Sequence, residues 1–419
     1  MSWSVWTVAA LFYLAAFYLR TSPAVMTTEL MRDFGIRASQ LGQFSAFYFY
    51  AYIVMQIPTG VLVDSFGARR LLIVGSLAAA AGTLLFGMTS SYPLASIGRA
   101  IVGASTAVGW VVTLKIATHW FPKSRFAMLS GLGLMMGNIG ALFAQVPLRL
   151  LVEDFGWRSV AIGSAVCVLA IGAAAWAVVA DDPSDKGASS YAPSELQRSS
   201  KTTIGGLLRE LPRLFTYRNT WLIFIAQGGF VGAVLSFTGL WGPPYLKQRF
   251  ALSSTDAAAV CSVMIVCWAV ASPLAGYFSD ALGRRKPIYL GGAILAAIGW
   301  AVLFYAPLSL AAFVFVAAIT SFSCGAVVVA FAFAKESVPV RFLATISGAV
   351  NVGNMLGPTL LQPAIGSVLD QHWAGTLAGG VRLYPVDAFQ AAFALIVGWA
   401  VLSCVSIALT RDTACRQTT

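Results

Sequence analysis

The chain has 419 residues, of which 58% are hydrophobic and only 10% are charged, and its formal net charge is +11. Ordinary soluble domains are about 45–50% apolar and about 25% charged, so this composition excludes a soluble globular domain and indicates a protein that crosses a membrane many times. Only two histidines and six cysteines are present, without a CxxC pair or a His/Cys cluster, which excludes a histidine-centred hydrolase and a Cys/His metal site.

Apolar segments long enough to cross a bilayer, about 20 residues each, recur along the whole sequence. We predict an all-α polytopic membrane protein with twelve transmembrane helices, six in each of two pseudo-symmetric halves. The predicted segments lie near residues 5–28, 40–64, 71–89, 93–120, 126–152, 157–180, 219–245, 254–280, 287–306, 308–334, 342–369 and 386–410.

The first segment contains a permanent charge, because Arg20 interrupts the apolar run "AALFYLAAFYLRTSPAVM". A charge at the centre of a span costs at least about 2.5–3.5 kcal/mol on insertion scales. By helical spacing, Arg20 shares one face of the segment with Tyr13 and Phe17. We therefore expect Arg20 to face a wet cavity or a partner, and not lipid.

The second segment places Tyr48, Tyr52 and Gln56 on one helix face, at the spacing i, i+4, i+8. Their hydroxyl and amide groups can orient a ligand while the aromatic rings stack on it. The alternative is that the two tyrosines pack between helices with satisfied hydroxyl groups. Both interpretations stay open at the level of the sequence.

A loop motif follows the second segment. The stretch "GVLVDSFGARR" carries Gly60, Asp64, Gly67, Arg69 and Arg70. Glycines let the ends of two helices approach closely, and an aspartate can accept hydrogen bonds from helix-terminal N–H groups or pair with arginines. We predict a gating loop that holds one side of the protein closed and releases it when helices tilt.

The fourth segment contains two basic side chains. Arg99 and Gly103 belong to the stretch "GRAIVG", and we expect a structural or gating role for them. Lys115 lies in the inner half of the segment and is predicted to bind an anion together with Arg20. His119 lies at the inner end of the same segment.

Residues 181–218 are polar and rich in Ser, Pro and Gly, which predicts a linker between an N-terminal half, 1–180, and a C-terminal half, 219–419. Lys and Arg residues outside the spans are concentrated on the side of this linker and of both termini. That side is expected to be cytoplasmic, in a bacterial inner (plasma) membrane. The positive net charge is then topological, and we expect no nucleic-acid partner.

The loop motif is repeated 216 residues later. The stretch "GYFSDALGRRK" follows the eighth segment and carries Gly276, Asp280, Gly283, Arg284 and Arg285. Agreement at one fixed distance across several helices indicates that the two halves are repeats of one unit.

Other positions extend the repeat or supply polar groups in the second half. Gly353 stands 216 residues after Gly137. Gln227 and Asn351 are predicted ligand contacts in the seventh and eleventh segments. Lys335 and Glu336 end the tenth segment, where the lysine can reach the headgroups or pair with its neighbour.

The six-plus-six layout, the linker and both loops resemble the major facilitator superfamily over essentially the whole chain. Its loop after the second helix carries a G-x-x-x-D-x-x-G-R-[RK]-x-[RK]-type signature, in which Ala68 here replaces the first arginine. The resemblance implies alternating access and a cavity lined by the first, fourth, seventh and tenth helices. The stretch "FYLRTSPAVM" is similar to the first helix of the organophosphate:phosphate antiporter branch, although the seventh segment lacks that branch's second arginine.

The acidic residues leave a charge unbalanced. None of the sixteen lies in the middle of a predicted span. Because buried charges need an opposite charge, we expect Arg20 and Lys115 to require a negative partner from outside the protein. We expect that partner to be the substrate of a secondary transporter, a small organic anion such as a carboxylate or phosphate ester. An exporter of an amphiphilic metabolite or siderophore-like compound, or a non-transporting ligand sensor of the same fold, is the alternative.

Import or export, and proton symport or anion exchange, stay open. Glu29, Glu336 and His119 are the candidates for proton coupling, but each lies near the end of a span, which favours exchange. The expected partners are the anionic substrate and the lipid bilayer. We predict a monomer that is not an enzyme and uses neither a cofactor nor a metal.

Overall fold

A computed structural model describes residues 1–187, 190–191, 212–339 and 342–417, and nearly all of this part is helical. Most of the predicted linker, 181–218, lies outside the described residues.

Nine α-helices form among the described residues 1–187. They are α1 (Ser2–Thr21), α2 (Thr27–Phe34), α3 (Ala38–Phe66), α4 (Ala68–Met88), α5 (Tyr92–Thr106), α6 (Gly109–Trp120), α7 (Phe126–Phe143), α8 (Val146–Phe155) and α9 (Trp157–Val178).

Eight helices and one short hairpin form in the described ranges from residue 212 onward. They are α10 (Arg218–Ser236), α11 (Gly242–Phe250), α12 (Ser254–Leu282), α13 (Lys286–Tyr305), α14 (Leu310–Cys324), α15 (Val329–Glu336), α16 (Leu343–Gln371), β1 (Leu377–Ala378), β2 (Val381–Arg382) and α17 (Val386–Ala408). The segment Phe237–Trp241, between α10 and α11, is a π-helix.

These helices account for the predicted spans. In the described part of the chain, ten helical segments are long and apolar enough to cross a membrane. The two parts of α3, Ala38–Gln56 and Pro58–Phe66, pass the same test of length and composition together, with a bend of 61° between them. The 29-residue helix α16 occupies the remaining predicted segment. The prediction of a twelve-helix membrane protein is confirmed.

The chain divides into two compact units. Unit 1 contains Met1–Ser22 and Tyr50–Leu207, and unit 2 contains Pro23–Phe49 and Leu208–Thr419. Helix α3 therefore begins in unit 2 and continues in unit 1 from Tyr50 onward.

In unit 1, α1 and α7 cross with their backbones in close approach. A Cβ atom added at Gly140 would lie 2.9 Å from the carbonyl carbon of Leu14, and one added at Gly137 would lie 2.9 Å from the ring of Tyr13. Only a residue without a side chain fits at such a crossing.

Unit 2 repeats this crossing between α10 and α16. A Cβ atom added at Gly353 would lie 2.7 Å from the carbonyl oxygen of Phe224, and one at Gly357 would lie 2.9 Å from the backbone nitrogen of Gly232. Gly137 and Gly353 thus pack in the same way against the first helix of their own half, α1 and α10. The 216-residue repeat in the sequence therefore corresponds to a repeated helix crossing in the structure.

Candidate functional site

Arg20 lies in the last turn of α1 and is only 5% exposed. Its guanidinium lies over the ring of Phe17, with 3.8 Å between Cζ and the ring centroid. Its buried Nε–H has no hydrogen-bond partner, and within the described ranges no carboxylate forms an ion pair with it. A cation–π contact is worth about 2 kcal/mol when desolvated, which is less than the several kcal/mol of an ion's burial penalty.

Arg99 on α5 is also buried, but both terminal nitrogens of its guanidinium donate hydrogen bonds. Its guanidinium donates to the carbonyl oxygen of Leu19 at 2.6 Å and to that of Arg20 at 3.2 Å. The α-helical part of α1 ends at Thr21, so these carbonyls have lost their intrahelical partners. Arg99 therefore holds the end of α1 in place and presents Arg20 at a defined position.

An aromatic wall adjoins Arg20 in unit 1. The Tyr13 ring packs against Phe17, with 4.8 Å between centroids, and against Trp110 of α6, with 5.2 Å. Gly137 of α7 leaves room for this cluster, because a side chain there would meet the Tyr13 ring. The wall is apolar except for the Tyr13 hydroxyl and the indole N–H.

Three contacts fix the heights of the side chains along α1. Arg99 reaches Leu19, Trp110 packs on Tyr13, and Phe121 packs on Trp3 with 5.1 Å between ring centroids. Along α5 and α6 the residue numbers of these contacts rise, while the residue numbers of their partners in α1 fall. Helices α5 and α6 therefore run antiparallel to α1.

This geometry separates the two predicted anion ligands. Lys115 comes five residues after Trp110, so its backbone is level with about residue 8 of α1. Arg20 lies about twelve residues further along that helix, which is about 18 Å at 1.5 Å per residue. In this conformation the structure therefore does not bring Lys115 and Arg20 together, as the prediction that both bind one small anion requires.

Lys115 also has an acidic partner. Its ammonium group donates to the carbonyl oxygen of Val63 at 2.6 Å and to the carboxylate of Asp64 at 3.2 Å. The expectation that the protein supplies no negative partner for Lys115 is thus corrected by Asp64, from the gating loop itself. Lys115 closes the end of α3 onto α6.

The first gating loop turns at Gly67, whose φ of +82° is a conformation that favours glycine. The next turn of chain is held by Asp181, which accepts the backbone N–H of Arg69 at 2.8 Å, and the Arg69 guanidinium donates to the carbonyl of Trp176. Gly60 has open space around it, and Arg70 is exposed.

The second gating loop has a different charge arrangement. Helix α12 ends at Gly283 with φ +64°, and the buried Arg285 guanidinium pairs with Asp280 and, at 2.8 Å, with Glu336. Pairing with Glu336, joined by Asp280, raises the pKa of Arg285 despite its burial. Glu336 also accepts a hydrogen bond from Thr413 of the C-terminal segment.

The remaining residues of that loop face the C-terminal segment or open space. Arg284 pairs with Asp412 at 3.1 Å, and Asp412 also accepts the backbone N–H of Arg285 at 3.2 Å. Gly276 makes only an ordinary contact with Val328. Lys335 is exposed.

Of the proton-coupling candidates, Glu336 and His119 are held in polar contacts at helix ends. Nδ1 of His119 lies 2.9 Å from the carboxylate of Asp182. Although burial raises the pKa of Asp182, hydrogen bonds from His119, Ser184 and Ser190 hold it well below its ordinary range. Glu29 lies in the first turn of α2.

The other predicted ligand contacts differ in burial. Tyr48 and Tyr52 are buried, while Gln56 and Asn351 are half-buried. Gln227 is fully buried on α10 and accepts the hydroxyl of Tyr289 at 2.8 Å, which is a bond between helices of unit 2. Gly103 is buried on α5, one turn after Arg99.

Asp181 and Asp412 hold the chain just after the two loop motifs, and the sequence-based predictions missed both of them. They accept the backbone N–H groups of Arg69 and Arg285, which stand 216 residues apart. The available signal was that each aspartate lies just beyond the last apolar segment of its half, where a carboxylate can cap a neighbouring helix.

A family model described as Major Facilitator Superfamily matches residues 5–268 and 228–417. The chain belongs to this superfamily. Members of the major facilitator superfamily are built from two parallel six-helix repeats, in agreement with the repeated loops and glycine crossings. The protein is therefore a multi-pass membrane transporter and not an enzyme.

Three curated relatives from the superfamily carry names that refer to anions. "Probable sulfoacetate transporter SauU" of Cupriavidus necator is 24% identical over 320 residues, covering 73% of this chain and 72% of that protein. "Probable hexose phosphate transport protein" of Chlamydia muridarum is 24% identical over 66% of this chain and 64% of that protein. "Probable galactarate/D-glucarate transporter GarP" of Escherichia coli K12 is 24% identical over 65% and 67%.

A solved structure has the same fold. A bacterial homolog of the human lysosomal transporter Spinster, in an inward-facing and occupied conformation, superposes with a TM-score of 0.74 at 17% identity. The comparison covers 96% of this chain and 95% of that chain.

Proposed function

We propose that this chain is a secondary transporter that moves a small organic anion across the inner membrane of a bacterium by alternating access, with both termini in the cytoplasm. The observation that carries the proposal is Arg20, a buried guanidinium without an ionic partner among the described residues. A charge in this state is costly until an opposite charge meets it. An anionic ligand supplies that charge.

The chemistry of Arg20 suits several anionic groups. Carboxylate, sulfonate and phosphate oxygens all accept charge-assisted hydrogen bonds from a guanidinium, often two at a time. The names of the three relatives span these groups, which supports an organic anion as the substrate class. Tyr13 and Phe17 are proposed to flank the non-ionic part of the ligand.

Two charge clusters are proposed as cytoplasmic latches of the transport cycle. In unit 1 the latch is the pair of Lys115 and Asp64, and in unit 2 it is Arg285 between Asp280 and Glu336. Both hold helix ends through polar contacts that solvent can replace when the helices tilt.

Anion exchange is the proposed mode of transport. Arg20 is the group that must be neutralised when the carrier changes state, and a second anion does this on the return step. Proton symport needs a titrating group beside the substrate, whereas Glu336 and His119 are held at helix ends.

The test is flux in proteoliposomes that contain the purified full-length protein. Uptake of radiolabelled D-glucarate, sulfoacetate and glucose 6-phosphate is compared between vesicles loaded with the same unlabelled anion and empty vesicles. We expect at least one anion to show uptake at least five times faster into loaded vesicles, and Arg20→Gln to abolish it.

Arg32→Gln is the matched control, because Arg32 is an exposed arginine of α2 paired with Asp33. It should transport at the wild-type rate. Normal flux by Arg20→Gln would refute the anion anchor, and strong uptake into empty vesicles driven by a proton gradient would refute exchange. Anion binding without any flux would refute transport and favour a sensor.

A further inference from the structure

A cavity of about 320 Å³ opens in unit 2, between the turn from α2 to α3 and the β1–β2 hairpin. Its lining includes Gly35, Arg37, Gln40, Leu377 and Arg382. We call it the hairpin cavity. Its volume suits a small ligand, and the two charged residues in its lining are both arginines.

Both arginines lie near the carboxylate of the same acidic residue. Asp370, at the end of α16, has a side chain that is only 11% exposed, and it lies 3.7 Å from Arg37 and 3.5 Å from Arg382. These distances are longer than those of strong charge-assisted hydrogen bonds. A guanidinium has five N–H donors, so both arginines keep donors for another acceptor.

Asp370 makes its short contacts elsewhere. It accepts the backbone N–H of Ser39 at 2.9 Å and the hydroxyl of Tyr384 at 2.6 Å. The same hydroxyl oxygen accepts the backbone N–H of Ala38 at 3.1 Å. Burial, together with Asp370, raises the pKa of Tyr384, so it stays protonated and donates to the carboxylate.

These contacts latch the start of α3 to the end of α16, because they satisfy N–H groups that a helix leaves free in its first turn. Two glycines bring the backbones together beside the latch. A Cβ atom added at Gly42 would lie 2.8 Å from the Cα of Pro363, and one at Gly366 would lie 2.7 Å from the carbonyl carbon of Ala38.

We propose that the hairpin cavity is a second anion site, which binds the transported anion through Arg37 and Arg382. The proposal rests on the function proposed above. The bound anion repels Asp370 and competes with it, because the anion and the Asp370 carboxylate seek the same guanidinium donors. Binding therefore weakens the hold of Asp370 on the start of α3.

The path of the chain indicates the side of the membrane on which the hairpin cavity lies. The hairpin cavity lies beside the α2–α3 turn, which follows the far end of α1, and the proposed topology puts that end outside the cytoplasm. An anion arriving from outside can thus bind to Arg37 and Arg382, and its binding loosens the latch between α3 and α16.

Site-specific labelling of a cysteine in the cavity tests the proposal. Leu377 lines the cavity and is 58% exposed. Leu377→Cys in the full-length protein is reacted with a membrane-impermeant maleimide from the outside, and modification of that peptide is followed by mass spectrometry. Because this measurement identifies the modified peptide, the native cysteines do not need to be replaced.

D-Glucarate should slow this labelling at least fivefold, while uncharged D-glucitol of the same chain length should leave the rate unchanged. Adding Arg37→Gln or Arg382→Gln should raise the half-protecting glucarate concentration at least tenfold. Arg32→Gln, which lies outside the cavity lining, should not change it.

Arg20→Gln separates this proposal from the proposed function, because protection at Leu377→Cys should persist in that variant. Loss of protection there, or equal protection in Arg37→Gln and Arg32→Gln, would overturn the second site. Wild-type flux by Arg20→Gln would instead refute the anchor and leave the labelling result untouched.

The competition with Asp370 has a test of its own. In Asp370→Asn the amide oxygen can still accept the N–H of Ser39, but the negative charge is gone. Glucarate should then protect Leu377→Cys at a concentration at least threefold lower than in the parent. An unchanged or higher concentration would contradict the competition.

Discussion

Replacing Arg20 with glutamine should weaken anion binding while leaving the ligand-free protein as stable as before, or more so. Truncating one partner of a buried, hydrogen-bonded charge pair costs about 2–5 kcal/mol. At about 1.4 kcal/mol per tenfold change, the dissociation constant should rise by about 30-fold to several thousand-fold. Isothermal titration of the transported anion into purified protein measures this change.

The stability of the ligand-free protein should move in the other direction. Arg20 is 5% exposed, its Nε–H has no partner, and no described carboxylate pairs with it. Removing a buried charge of this kind relieves its desolvation penalty. The melting temperature of Arg20→Gln without ligand should therefore equal or exceed that of the wild type, and the ligand-induced increase should vanish.

Arg99→Met provides the matched contrast in thermal unfolding. Arg99 is 2% exposed, but it donates two charge-assisted hydrogen bonds to the end of α1. Such bonds contribute about 1.5–3 kcal/mol each, so Arg99→Met should lower the melting temperature by several degrees. If Arg20→Gln destabilised the ligand-free protein as much as Arg99→Met, Arg20 would be a structural arginine and the anchor would be refuted.

Two smaller predictions follow from single contacts. Lys115→Met should change anion affinity less than about threefold, because about 18 Å separates its backbone level from that of Arg20; a loss like that of Arg20→Gln in the same titration would contradict this. Gly42→Ala should lower the melting temperature, since its Cβ would lie 2.8 Å from Pro363, whereas Gly60→Ala, with nothing within 4 Å, should raise it or leave it unchanged. Equal shifts in the two variants would show that the crossing at Gly42 is not tight.

The architecture was predictable because it depends on properties that are local in sequence. Twelve apolar segments follow from hydropathy, and the two halves follow from repeated residues such as Gly137 and Gly353, which meet the first helix of their own half in the same way. That Arg20 is shielded from lipid was predictable as well, because a charge within an apolar run needs a polar cavity or a partner wherever the helices pack.

The pairings of charges were harder to predict because they depend on the relative heights of helices. The sequence places Asp64 and Lys115 in different segments, and only the register between α3 and α6 shows that they meet. The same holds for Asp370, which lies far from Ser39 in sequence. Hydropathy reports how deep a residue lies, but not which neighbour it faces.

The hydrogen bond between Ser39 and Asp370 also has a consequence for biosynthesis. These residues are 331 positions apart, and at about 5–20 residues per second a ribosome takes roughly 17–66 s to add that length. Until then the backbone N–H of Ser39 lacks the Asp370 carboxylate that accepts it, although α1 and most of unit 1 are already made. The start of α3 therefore gains this hydrogen bond only after the end of α16 has been synthesised, and a truncated nascent chain that lacks the end of α16 never forms it.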